Sequence, residues 1–124
     1  MKSKRSKACE ITKEVRQAVA IRDNGKCIIC GKIVPVSCSN AHYIKRSQGG
    51  LGIEENIVTL CPACHYEEDF GKNTKLYEQK IKEYLKSKYQ NWNELNLKYN
   101  KWEVHKSWEI ALYFTKVFMM PFKT

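Results

Sequence analysis

The sequence predicts an α+β fold, with helices flanking a small centre held by a metal clasp, and three observations predict it. Two C-x2-C pairs, Cys27/Cys30 and Cys61/Cys64, stand thirty residues apart. Between and after them the residue pattern runs short strand, glycine-bearing loop, short strand, helix. Helical periodicity then frames this unit on both sides, over residues 12–22 and 75–89. At 124 residues the chain suits one domain, with a core modest enough for a clasp to matter.

Taken in order, Met1 to Ala8 is lysine-rich with little apolar content. Residues 1–8 therefore read as a flexible basic arm that orders on a polyanion. Thr12 is placed to cap a helix in which Val15, Ala18, Val19 and Arg22 follow at helical spacing, and Asp23-Asn24-Gly25 ends it through turn chemistry. Gly25 to Val36 holds the first cysteine pair on a knuckle-like turn, where Pro35 interrupts any long strand. Cys38 to Ile44 reads as a strand, Lys45 to Glu55 as a loop, and Ile57 to Leu60 as a second strand of β-branched and aliphatic residues. Pro62 sits where a first helical turn begins, and that helix continues through His65 to about Phe70.

Asn73 or Thr74 can cap the next helix, Lys75 to about Tyr89. Its stripe of Leu76, Tyr77, Ile81, Tyr84 and Leu85 is expected to pack on the core, leaving Lys80, Lys82, Lys86 and Lys88 outside. Trp92, Leu95, Tyr99 and Trp102 suggest a less regular amphipathic segment. Ile110 to Phe122 is nearly all apolar around Lys116, too short and interrupted to span a bilayer. It reads as a buried tail or a surface for a protein partner.

Lysine and arginine outnumber acidic residues 22 to 13, a net charge of +9. The excess is uneven: residues 1–26 carry +5, 27–60 carry +1, 61–70 carry −3, and 71–124 carry +6. Basic flanks around an acidic centre fit a protein that grips a polyanion at its periphery and a metal ion in its middle. A soluble basic protein with solvated lysines has the same totals. Met1 to Lys7 is basic, but no apolar signal core follows it. The cysteines therefore read as metal ligands in a reducing, cytoplasmic setting.

Cysteines three apart can point both sulfurs at one ion, and zinc is the default metal for four of them. Cys27, Cys30, Cys61 and Cys64 form that set, leaving Cys9 and Cys38 as free thiols. A rival Cys3His site from Cys27, Cys30, Cys38 and His42 would leave Cys61 and Cys64 unexplained.

Four runs inside the clasp are diagnostic: Ala41-His42-Tyr43-Ile44, Arg46-Ser47-Gln48-Gly49-Gly50, Glu55-Asn56-Ile57-Val58-Thr59-Leu60-Cys61, and Cys64-His65. Over about residues 7 to 70 the chain resembles the HNH endonucleases, in particular the small phage-type members with a four-cysteine zinc site. The resemblance implies a ββα-metal (His-Me finger) core and hydrolysis of DNA phosphodiester bonds, leaving 5′-phosphate and 3′-hydroxyl ends. It sets the HNH domain at residues 9–70, and residues 71–124 read from their own pattern as a helical, basic and aromatic extension of the same domain. The setting it implies is the cytoplasm of a bacterial or phage-infected cell.

The resemblance also assigns roles. His42, seven residues before Gly49, matches the general base; a histidine is neutral in good part near pH 7, since its ordinary pKa is about 6.5. Asn56 matches the asparagine that pins the loop and thereby orients the base. His65 matches a ligand of the catalytic divalent ion, and Asp69, four residues on, occupies a position where some members carry a further ligand. Mg2+ or Mn2+ would suit a site containing a carboxylate. Each residue also has a plainer reading: a structural histidine, a turn former, a fifth zinc candidate, a solvated acidic face.

The chain departs from the family pattern at Ala41, where many members carry an aspartate or histidine ligand. An Ala41→Asp change is therefore expected to tighten metal use. Lys45, Arg46 and Ser47 are candidate phosphate contacts near the cut, and Arg16 and Arg22 are either further contacts or solvated helix surface. Two other functions stay open. One is a zinc-stabilised DNA-binding module without cleavage, and the other is a zinc-ribbon adaptor using the apolar tail.

Overall fold

A computed structural model describes residues 2–36 and 40–100. Six regular elements follow in order: helices α1 (Lys4–Cys9) and α2 (Lys13–Arg22), strands β1 (Asn40–His42) and β2 (Ile57–Thr59), and helices α3 (Pro62–Phe70) and α4 (Thr74–Lys88). Short 3-10 turns at Arg46–Gln48, Glu54–Asn56 and Glu94–Leu97 complete the chain path. The strands pair antiparallel with Asn40 opposite Thr59, Ala41 opposite Val58 and His42 opposite Ile57.

The expected arm is instead helical from Lys4 to Cys9, because Ser3 caps it by accepting from the Ser6 amide at 3.1 Å. Cys9, at its end, is buried. Helix α2 starts where its cap predicts, with Thr12 Oγ1 accepting from the Val15 amide at 3.3 Å. It stops where Asn24 and Gly25 both take positive φ, 57° and 64°. The knuckle closes through Cys27 N to Lys32 O at 2.8 Å and Gly31 N to Cys27 O at 2.9 Å, with Gly31 at φ 77°. It then leans on β2 through Ile28 N to Thr59 O at 3.0 Å.

Helix α3 spans the predicted residues, with Pro62 in its first turn. Helix α4 begins after Asn73 and packs against α3. Ile81 and Leu85 enter the core beside Cys27, Val34, Ala41, Val58 and Leu60, with Tyr77, Tyr84 and Trp92 around them. Leu76, included in the expected stripe, is 51% exposed.

Beyond α4 the chain returns to the loop between the strands. Leu51 N donates to Leu97 O at 2.8 Å and Tyr99 N to Gly49 O at 2.7 Å, while Trp92 Nε1 donates to Glu55 O at 2.8 Å. Cys38, Trp102 and the apolar run 110–122 lie outside the described residues. Among the described residues no helix is long and apolar enough to cross a membrane.

Arg22 corrects the sequence reading. Its guanidinium does not face solvent or phosphate: it bonds Asp23 at 2.7 and 3.1 Å, Glu54 O at 2.8 Å, Ile57 O at 2.6 Å and Tyr89 Oη at 3.0 Å. Asp23 in turn accepts from the Thr59 amide at 2.9 Å and from the Tyr84 hydroxyl. The pair thus ties α2 to β2 and α4, with side-chain exposures of 10% and 0%. Removing one partner of such a pair strands the other charge in the interior. Arg22→Ala is therefore expected to destabilise the fold by about 3–5 kcal/mol in urea denaturation, whereas Arg16→Gln, on a partly exposed position of α2, should change stability by less than about 0.5 kcal/mol.

Candidate active site

The clasp forms first. The four sulfurs of Cys27, Cys30, Cys61 and Cys64 lie within 4.8 Å of one another, and those of Cys30 and Cys61 are 3.6 Å apart. A tetrahedral ion with bonds of about 2.3 Å requires sulfurs about 3.8 Å apart, so donor set and spacing fit a structural zinc. None of the five described cysteines is in a disulfide. Burial opposes ionisation of Cys27, yet backbone amides of Cys30, Cys61 and Ile29 aimed at its sulfur draw its pKa down to about 7. Burial and the neighbouring sulfurs push Cys64 up. Four crowded sulfurs need a cation before all can ionise. The rival set is disfavoured, since His42 turns its ring to Cys9 while Cys61 and Cys64 join the first pair.

Cys61 also caps α3, its sulfur accepting from the Cys64 amide at 3.4 Å. The clasp therefore sets the start of the helix that carries His65. Within α3, ligand atoms of His65, Glu68 and Asp69 lie within 4.8 Å of one another. His65 Nε2 is 3.4 Å from Asp69 Oδ2, as residues four apart on a helix permit. One imidazole and two carboxylates can hold a hard divalent cation.

Glu68 was not singled out from the sequence, although its i+3 spacing from His65 was available as a signal. It is fully buried, and burial pushes its carboxyl up to about 7. Lys45, expected to face a phosphate, bonds Glu68 and places its ammonium 2.6 Å from Asp69 Oδ1. Burial works against its charge, but the two carboxylates outweigh that and raise its pKa.

Asn56 is buried and fully engaged. Its side chain accepts from the Ile44 amide at 2.7 Å and donates to Leu51 O at 2.8 Å and Ile44 O at 3.2 Å. It thereby ties both ends of the segment from Ile44 to Leu51. Gly50 completes that tie, because a Cβ there would stand 1.6 Å from Ile44 O; no other residue fits without moving the loop.

His42 precedes this loop on β1. Its Nε2 lies 2.9 Å from the Cys9 carbonyl, which only accepts, so Nε2 carries the hydrogen and Nδ1 keeps its lone pair. Burial holds its pKa below the ordinary value; the Cys9 carbonyl raises it, and the positive charges of Arg46 and Lys45 lower it again. A half-buried imidazole that resists protonation, beside a cluster able to hold a cation, can take a proton from water.

Residues 27–70 match the family model described as HNH endonuclease. They form an HNH domain. The chain is also 34% identical, over 68 residues, to the type IV methyl-directed restriction enzyme EcoKMcrA of Escherichia coli strain K12. That match takes in 49% of this chain and 24% of the relative, so the chain corresponds to about a quarter of that protein's length.

Two site expectations change in the structure. Ala41 is 1% exposed and packs in the core with Val58 and Leu60. An aspartate there would enter largely apolar surroundings, so the Ala41→Asp change expected to tighten metal use also carries a cost in stability. The candidate phosphate contacts do not converge: Lys45 pairs with α3 and Arg22 is interior, while Arg46, which reaches Ser6 Oγ at 3.3 Å, and Ser47 are exposed. For the clasp, Cys61→Ser is expected to lose the metal and unfold. Elemental analysis should find one zinc per wild-type chain and far-UV circular dichroism should show the loss; a folded, zinc-retaining variant would remove the clasp.

Proposed function

We propose that the HNH domain of this chain is a metal-dependent DNA endonuclease in which His42 activates water and His65 and Asp69 hold a divalent cation. The observation that carries this reading is a histidine held in one tautomer on β1 and a His65/Glu68/Asp69 cluster on α3 that is tied to the chain three residues after His42 through Lys45. The family match and the similarity to a restriction enzyme support DNA as the substrate.

The chemistry follows from the residues. His42 Nδ1 takes a proton from water, the oxygen left behind forms a bond to phosphorus, and the bond from phosphorus to the 3′ oxygen breaks. That oxygen leaves as a hydroxyl after protonation from solvent, and the phosphate stays on the 5′ side. A divalent ion, when bound, offsets charge developing on the phosphate and leaving oxygen. Asn56 keeps the 44–51 segment folded under the base, and exposed Arg46 and Ser47 bear on the backbone of the substrate. Such contacts carry little sequence information and weaken with salt.

The other reading is a DNA-binding module without cleavage, and the Lys45 ammonium against Glu68 and Asp69 favours it, since that ammonium competes with a metal ion. Plasmid nicking with Mg2+, Mn2+ or chelator separates the two, because only the enzyme nicks and only with metal.

His42→Ala is expected to cut nicking by roughly 10²–10⁴-fold while zinc content and DNA affinity stay near wild type. Because the protonated imidazole cannot accept a proton, activity should fall on the acid side. Its midpoint should lie below the ordinary histidine value, as the lowered pKa of His42 dictates. Asp69→Asn should raise the Mn2+ concentration needed for half-maximal nicking at least about tenfold, and Glu67→Gln should leave it unchanged.

A further inference from the structure

Helix α1 lies outside residues 27–70, yet it meets the site at three places. Cys9 O receives His42 Nε2 at 2.9 Å. Ala8 O receives the Gly52 amide at 2.9 Å. Arg5 Nη2 donates to Ser47 O at 3.1 Å, and Arg46 Nη2 reaches Ser6 Oγ at 3.3 Å and Ser6 O at 3.4 Å. The approach is close: a Cβ on Gly52 would stand 2.1 Å from Glu10 O and 3.1 Å from Cys9 O. Cys9 itself is 1% exposed, so its carbonyl is held by a packed side chain as well as by these bonds.

We infer that α1 is a positioning element for the general base, with Cys9 supplying the fixed carbonyl and Gly52 the space that lets it reach His42. This rests on the reading of His42 as the base. A neutral imidazole can carry its hydrogen on either nitrogen, and only the Nε2–H form leaves Nδ1 open to take a proton from water. A carbonyl at Nε2 selects that form and fixes the ring plane. An HNH unit cut at residue 27 would lack the partner, so residues 4–10 belong to the catalytic unit. Losing the carbonyl should slow the chemical step and leave substrate binding alone, since neither Cys9 nor Gly52 offers a side chain to a phosphate.

The test uses the full chain, its three histidines labelled with nitrogen-15. In the wild type the His42 nitrogens should report the Nε2–H tautomer alone. In Gly52→Ala, which forces the end of α1 away, both tautomers should be populated, with kcat down roughly 10–100-fold and KM within about twofold. Cys9→Gly, which adds no bulk and removes the buried anchor, should act in the same direction and decides the matter if Gly52→Ala does not fold. A folded variant that keeps the single tautomer and wild-type kcat overturns the inference. If instead His42→Ala nicks like the wild type, it is the assignment of the base that fails, and the tautomer readout still reports on α1.

Discussion

The clasp of Cys27, Cys30, Cys61 and Cys64 is the constraint on which the rest depends. The two strands are three residues each, and a ribbon of that size cannot stand alone in water. The buried apolar cluster around it is small, with Leu60 from the end of β2 and Ile81 and Leu85 of α4 as its largest aliphatic members. A metal bound by four thiolates contributes roughly 10–16 kcal/mol of apparent binding energy, against a typical domain stability of about 5–15 kcal/mol. It does so at the point where the knuckle, the end of β2 and the start of α3 meet. Because Cys61 also caps α3, the clasp sets where that helix begins and so where His65, Glu68 and Asp69 stand relative to β1.

With strand and helix positioned, what remains is the loop between the strands, and it is held from several sides. Asn56 binds it from inside, the Leu97–Tyr99 segment pairs with it along one edge, and α1 covers it near Gly52 and Ser47. A buried amide left half-bonded would cost stability, but Asn56 uses its oxygen and its nitrogen on backbone partners. The loop is thereby rigid without a core of its own, which is what a site needs if a base and a cation cluster from different elements are to keep their spacing.

Much of this was legible because it is written locally. Caps, turn residues and helical period place α2, α3 and α4, and cysteine spacing places the clasp, since each signal involves residues a few positions apart. His42, Asn56 and His65 stood out only through the runs around them. What was not legible depends on distant partners. Arg22 looks like any helix-surface arginine until Glu54, Ile57 and Tyr89, which lie 32, 35 and 67 residues away, turn out to surround it. Lys45 reads as a loop cation until α3 brings Glu68 and Asp69 against it. Ala41 resembles a lost ligand in the sequence, but the alternation of a strand sends it to the core while His42 turns to the other face.

The uneven charge of the chain acquires a structural meaning at that same place. Residues 61–70 carry three acidic side chains and no basic one, and two of the three converge with His65. Lys45 answers Glu68 and Asp69 with one positive charge, and burial, which pushes the Glu68 carboxyl up to about 7, disfavours a second negative charge beside Asp69. A phosphodiester approaching the cluster would add negative charge where carboxylates already crowd, and Coulomb repulsion at a few ångströms in a half-buried site amounts to several kcal/mol. Approach becomes favourable only when that repulsion is offset by cations at the site. The acidic residues of 61–70 are thus gathered on one helix, α3, between sequence segments that carry the chain's excess of lysine and arginine.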